Sequence, residues 1–379
     1  MTANIAFTDV DYSSDGYIRC SVSHQETNNL WIKLPYEARV NTDLIALALS
    51  TLCGTAFDEI SFDLPIGPET KRKIEAHTHA ALKSPTGKDK SFRPGTDTAL
   101  NFSGGFDSLA AMSILKKPHL ISLDFGGRFA REKQFFQVYQ PYIIETNITE
   151  LGLNRNSWQF MGIGSILLKD ELRLKHYAFG SIMAGSLNRL LAGPLDQYNS
   201  GLWAANEVGM RRINPVSGVT EIGTLNILLS QHYHVIVDSL KSLANPREDK
   251  FLRKWQMLTA VVEAYGYPVR LPEPATRKSK RKWGESKATD LSSIYVMSKL
   301  GPDEVAETYS GGIPNAIRAA LPKLDLEFFN RVNPHAYHNI PDQLRGRFLK
   351  QLAEFGLHPY ERKDWAAAEK VAELLELPA

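Results

Sequence analysis

The residues best placed to do chemistry are Ser103-Gly104-Gly105-Phe106-Asp107-Ser108. Two adjacent glycines allow a tight turn and clear side chains from the approach path. Backbone N–H groups there, together with the start of the helix that follows, form an anion site suited to phosphate. Ser103 and Ser108 add hydroxyl donors. Asp107 is the informative residue, because a bare carboxylate beside phosphate would repel it. A hard cation such as Mg²⁺ between the two resolves the conflict. The competing reading is an ordinary turn with Ser or Asp capping a helix. The loop is neither GxxxxGK[ST] nor GxGxxG.

The elements around it must hold this loop in place. Thr98–Phe102 is a short apolar strand, and Leu109, Met112 and Leu115 recur at helical spacing after the loop. His119–Phe125 is a second strand, a helix begins at Ala130, and Tyr142–Ile148 is a third strand. This alternation implies parallel βαβ units, whose ligands bind beyond the C-terminal strand ends. Residues 1–95 read as a separate α+β module. Its strands are Tyr17–Ser23, Leu30–Leu34 and Ile60–Leu64, and its helix is Asn41–Leu52, capped by Asn41. The Pro/Gly/Lys-rich stretch before residue 98 marks its boundary. Residues 96–240 form the core, and 241–379 a mainly helical extension. Helices are expected at Ile166–Leu191 and Glu248–Tyr265, a late strand at Tyr233–Val237, and short helices over Asp290–Phe329. A terminal helix is capped by Asp364.

The loop matches SGGxDS at every specified position, and the chain so resembles the PP-loop ATP pyrophosphatase superfamily. The resemblance implies an α/β, Rossmann-like (HUP-type) domain with a parallel sheet and helices on both faces. It implies ATP and Mg²⁺ as ligands, with Ser103, Gly104, Gly105, Phe106, Asp107 and Ser108 around the pyrophosphate and Asp107 on the metal. It also implies an AMP-forming activation of a small-molecule carboxylate or carbonyl oxygen, with release of pyrophosphate and transfer to a nucleophile. Leu123–Glu132 is similar to the DYGQRHxxE segment of 7-cyano-7-deazaguanine synthases. Asp124, Gly126, Arg128 and Glu132 match, and Phe125 stands for Tyr. On that resemblance the backbone of Leu123, Asp124 and Phe125 meets adenine, and Arg128 neutralises phosphate. The alternative is a surface i,i+4 pair of Arg128 with Glu132. Asn214–Ile222 loosely resembles TPLxxLSKxEI, with Glu221 where that pattern has lysine. The basic run Arg277–Lys282 is a candidate replacement, or a solvated turn. The synthases carry a four-cysteine zinc site, but here no cysteine follows Cys53, so no zinc site is expected. The asparagine synthetase domain and the UDP-muramoyl-dipeptide epimerase share the loop. No N-terminal nucleophile cysteine follows Met1.

Ser181, Ser186 and Asn188, among small residues including Gly180, and Asn206 with Glu207 are candidates for a substrate pocket. Tight packing is the competing reading for the first group. His232 and His234 flank Tyr233, and on a strand they would share one face. The 379 residues carry two cysteines, a net charge of +2 and 43% apolar residues. These numbers fit a globular chain without a disulfide framework or a broad basic surface. A cytoplasmic protein is expected, with no secretion signal and no membrane span. Its expected partner is a small-molecule substrate, and nucleic acid is disfavoured. A partner protein and a homo-oligomer stay open. Two other readings stay open as well. One is a partner-dependent ATPase or nucleotide-processing component of a larger, defence-related system. The other is a non-catalytic ATP-binding protein.

Overall fold

A computed structural model describes residues 3–12, 15–38, 40–183, 190–275, 281–306 and 308–376, with Arg128 described in its backbone only. The chain divides into two compact units. The first comprises Met1–Ser103, Lys117–Phe179 and Tyr198–Ile213; the second comprises Gly104–Lys116, Gly180–Gln197 and Asn214–Ala379.

The first unit is built on a ten-stranded sheet. Its strands are β1 (Asn4–Asp11), β2 (Tyr17–Ser23), β3 (Thr27–Lys33), β4 (Glu59–Phe62), β5 (Ala81–Lys83), β6 (Asp97–Asn101), β7 (His119–Asp124), β8 (Tyr142–Thr146), β9 (Leu174–Ala178) and β10 (Arg211–Arg212). Their order is β10-β9-β6-β7-β8-β3-β2-β1-β4-β5. The run from β10 to β8 is parallel throughout. β3 joins it antiparallel, with Ile32 opposite Thr146. The strands of the first 95 residues thus continue the same sheet. Three polar bonds reinforce that seam: Trp31 N to Asn147 Oδ1 (3.0 Å), Asn147 Nδ2 to Asn29 O (2.8 Å) and Thr146 Oγ1 to Trp31 O (2.8 Å). The fold is α/β with a mostly parallel sheet.

Asn41 caps the Thr42–Ser50 helix as expected, its side chain accepting from Leu44 N at 2.9 Å. The helix expected at Ile166–Leu191 is corrected. Ile163–Leu167 is helical and the chain then enters β9; residues 184–189 lie outside the described residues, and Leu190 and Leu191 are again helical. Arg173, just before β9, adopts a left-handed φ of 49°. Leu174, His176 and Ala178 then alternate as a buried face. Gly164 makes the Ile163–Leu167 helix lie close on the sheet: a Cβ there would stand 2.6 Å from Ile121 and Ile144 side-chain atoms. Pro68–Thr78 forms a further helix, and the sequence pattern marked neither it nor β1.

In the second unit the helix Phe106–Ile114 packs on Glu221–Gln231 and Ile236–Leu243. Asp249–Tyr265 packs on Glu221–Gln231 and on Lys287–Leu300. The strand expected at Tyr233–Val237 is instead a 3₁₀ turn, Tyr233–Val235, leading into a helix. Ile236, Ser239 and Leu240 are buried at helical rather than alternate spacing, which selects the helix. Asp364 lies inside the first turn of Arg362–Glu376 rather than before it, and its carboxylate accepts from Glu361 N at 2.7 Å. No described helix is long and apolar enough to cross a membrane.

Candidate functional site

In the first unit the parallel strands appear in space as third, second, first, fourth and fifth in chain order (β8, β7, β6, β9, β10). Sequence direction therefore reverses between β6 and β9, the position where open α/β sheets leave a crevice at their carboxyl ends. β6 leads directly into the glycine loop. Its end is fixed by Asn101, whose Nδ2 donates to Ala178 O at 3.1 Å while its Oδ1 accepts from Ser165 Oγ at 2.9 Å. Phe102 N continues the ladder to Ile121 O at 2.8 Å, and Ser103 is exposed.

The rest of the loop belongs to the second unit. Gly104 has φ +73°, a conformation that favours glycine, and its carbonyl accepts from Ser239 Oγ at 2.9 Å. Gly105 is the N-cap of the Phe106–Ile114 helix. Ser108 Oγ donates to Gly105 O at 2.9 Å and is buried, so this hydroxyl holds the loop's shape. Gly180 stands directly against the first helical turn. A Cβ there would meet Asp107 C and Ser108 N at 2.5 Å, so the small residue serves close backbone approach.

Asp107 sits on that first turn, partly accessible, its Oδ1 accepting from Thr224 Oγ1 at 3.3 Å. Burial pushes its pKa above the ordinary carboxylate value; Lys254 opposes the rise and Glu221 adds to it. Glu221 and Lys254 are buried and paired through Oε1 and Nζ. Arg253 Nη1 lies 3.5 Å from Glu221 Oε2. Burial alone would raise the Glu221 pKa, but Lys254 and Arg253 outweigh it and hold it low. Burial alone would lower the Lys254 pKa, but Glu221 and Asp107 outweigh that and hold it high. Lys254 Nζ also lies 5.5 Å from the centre of the Phe106 ring. The result is an ammonium fixed by Glu221 and within electrostatic reach of the loop carboxylate.

Lys254, Arg253, Thr224 and Ser239 were not found from the sequence. Nothing in their local spacing marks them, since they meet Asp107 or the loop only through helix packing. Glu221, which replaces a lysine in the resembling segment, is the residue that holds Lys254. Of the basic run, residues 277–280 lie outside the described residues. Arg281 lines a separate pocket with Thr289 and Tyr309.

The other candidates stand elsewhere. In the first unit, Asp124 is buried; its Oδ1 accepts from Gly126 N at 2.9 Å and its Oδ2 pairs with Lys133 at 2.7 Å. Phe125 packs against Phe129 and Phe160, and Leu123 is half-buried. The Arg128 side chain lies outside the described part. Asn206 accepts from the Tyr177 hydroxyl at 3.4 Å and donates to Asn199 O at 2.9 Å. Glu207 pairs with Lys73 at 3.3 Å and His77 at 3.1 Å. Ser181 follows Gly180, half-buried; Ser186 and Asn188 lie outside the described residues. His232 ends a helix, and its Nε2 lies 3.0 Å from Ser113 Oγ. The shared strand face expected for His232 and His234 therefore does not exist. Among the described residues no three His, Cys, Asp or Glu side chains group as a metal site.

The chain is an α/β protein with a glycine turn at a helix N-terminus, where the partly accessible Asp107 lies within electrostatic reach of the buried Glu221–Lys254 pair. No protein-family model, curated protein or solved structure matches the chain.

Proposed function

We propose that the chain is an ATP pyrophosphatase of the PP-loop class, activating a small-molecule carboxylate or carbonyl oxygen as its adenylate. The observation that carries this reading is Asp107 on the first turn after Gly104–Gly105, within electrostatic reach of the buried ammonium that Lys254 presents to Glu221. A simple capped turn requires no such buried cation.

Backbone N–H groups of Gly104–Ser108 hold the β- and γ-phosphates. Asp107, partly accessible and already within electrostatic reach of a cation, suits Mg²⁺ carried with the nucleotide; the metal supplies charge neutralisation and alignment of the phosphates. The substrate oxygen attacks the α-phosphorus in line. The bond from that phosphorus to the α,β-bridging oxygen breaks, and its electron pair leaves on pyrophosphate. Lys254 offsets the charge developing on the leaving group, and the protein otherwise acts by positioning. A carboxylate substrate needs no general base in this step.

³¹P NMR of the protein with ATP, Mg²⁺ and a small-metabolite extract tests the reading. AMP plus pyrophosphate is expected. ADP plus phosphate, or unchanged ATP, would replace it with an ATPase, a partner-dependent component or a binding protein. Asp107→Asn is expected to lower pyrophosphate release at least 100-fold, on the scale of about 10²–10³ for loss of one electrostatic group at a reacting centre. Its circular dichroism should be unchanged. Near-normal turnover in the variant sinks the assignment.

A further inference from the structure

We infer that Ser239, on the helix Ile236–Leu243 of the second unit, is a positioning residue for the glycine loop. It fixes which way the Gly104–Gly105 peptide faces, and with it the loop's affinity for a phosphate group. The inference rests on the reading of the loop as a phosphate site and assigns to that site a residue outside the loop.

The glycine pair creates the need. A peptide unit is planar and trans, so its C=O and N–H point in opposite directions. The orientation of the Gly104 carbonyl therefore sets that of the Gly105 N–H. Turning this peptide over rotates ψ of Gly104 and φ of Gly105 by about 180° each. Gly105 stands at φ −72°. The rotation would carry it to positive φ, which a side chain resists and glycine accepts. Gly104 is already at φ +73°. Two glycines thus clear the approach path and, for the same reason, leave their shared peptide able to face either way. One orientation offers an N–H to an anion. The other offers a carbonyl oxygen, whose partial negative charge repels it.

Ser239 holds the first orientation. Its Oγ donates to Gly104 O at 2.9 Å, so the carbonyl points at Ser239 and the Gly105 N–H points away from it. Ser239 is completely buried. A buried hydroxyl needs an acceptor, but a helical serine has one in the preceding turn of its own helix. Ser242, buried on the same helix, uses that acceptor: its Oγ donates to Ser239 O at 2.8 Å. Ser113 and Ser230 do the same with Leu109 O and Ile227 O. Ser239 instead donates to a carbonyl 135 positions away in the chain, at the one peptide bond that both glycines leave unrestrained.

Two measurements test the assignment. Glycine labelled with ¹³C at the carbonyl and with ¹⁵N restricts an HNCO spectrum to the three Gly–Gly peptides, Gly104–Gly105, Gly126–Gly127 and Gly311–Gly312, assigned by substituting each pair in turn. Pyrophosphate is then titrated and its affinity read by ³¹P NMR. Ser239→Ala should move the Gly104–Gly105 signal before any ligand is added and leave the Gly311–Gly312 signal in place. It should weaken pyrophosphate binding about tenfold, the scale of one hydrogen bond. Ser242→Ala, which removes a hydroxyl bonded within its own helix, should do neither. Equal pyrophosphate affinity in Ser239→Ala and native protein overturns the inference. An equal loss in Ser242→Ala overturns it too, because the effect would then belong to helix packing. If Ser239→Ala loses its circular dichroism, Ser239→Cys keeps a side chain of similar size and weakens the donor. That variant should bind pyrophosphate more weakly than native protein, and unchanged binding overturns the inference as well. Native protein that binds pyrophosphate with this Ser239 dependence but forms no AMP from ATP sinks the ATP-activation reading and leaves Ser239 as assigned. Native protein that binds no pyrophosphate sinks both.

Discussion

Lys254 is buried with Glu221, and a buried ion pair loses more when one partner is removed than when both are. Lys254→Met should destabilise the protein by about 3 kcal/mol, the low end for such a loss, because Arg253 still faces Glu221. Glu221→Gln combined with Lys254→Met should restore most of that stability without restoring pyrophosphate release. Denaturant titration of both variants separates the structural role from the phosphate role. A double variant that recovers activity would make Lys254 purely structural.

The pH dependence follows from the same residues. The Glu221 pKa is held below its usual 4.5, so its stabilisation is present above that pH and fades as pH falls through the lowered value. Lys254 is held above its usual 10.5, so its share is present below that pH and fades as pH rises through the raised value. Asp107 has the opposite sign. Its pKa is raised from 3.8, so its relative stabilisation belongs to low pH and is lost as pH climbs through the raised value. Asp107→Asn should therefore melt higher than the native protein at neutral pH, with the gain vanishing below about pH 3.8. An unchanged or lower melting temperature at pH 7 would contradict this sign. Loss of turnover with gain of stability is what a carboxylate kept for function would give.

Among the elements, the helix beginning at Phe106 depends on what packs on its first turn. Gly180→Ala places a methyl 2.5 Å from the Asp107 and Ser108 backbone, which cannot yield without moving the loop. Gly95→Ala creates a similar clash, 2.2 Å from the Leu174 backbone, but within the sheet unit. Each should lose about 1–3 kcal/mol by overpacking. Only Gly180→Ala should also weaken pyrophosphate binding, by ³¹P titration. Equal pyrophosphate affinity in the two variants would separate Gly180 from the loop's function.

At the level of the whole molecule, the first 95 residues are half of one sheet. Removing them strips β3 from β8 and exposes a strand edge that Ile32, Trp31 and Asn29 now cover. Open edges of this kind recruit other chains. A chain beginning near residue 96 should form aggregates on size-exclusion chromatography and lose a cooperative thermal transition. A monomeric, cooperatively melting fragment would show that the seam is dispensable.

The loop, its flanking strands and the α/β class were legible in the sequence because each is local. Glycine pairs mark turns, Asn41 marks a cap, and apolar periodicity separates strand from helix over a few residues. That logic failed where a neighbouring element decided the outcome. Leu174–Ala178 lies within the stretch read as one long helix, yet β6 and β10 draw it into the sheet. The strands of residues 1–95 were visible, but their union with the parallel sheet through β8 depends on pairing across more than a hundred residues, as in Trp31 with Asn147. The electrostatic reach of Lys254 to Asp107 is a matter of helix packing alone. Sequence by itself determined where phosphate chemistry is expected; only tertiary structure decided which cation stands there, because charge acts through space and not along the chain.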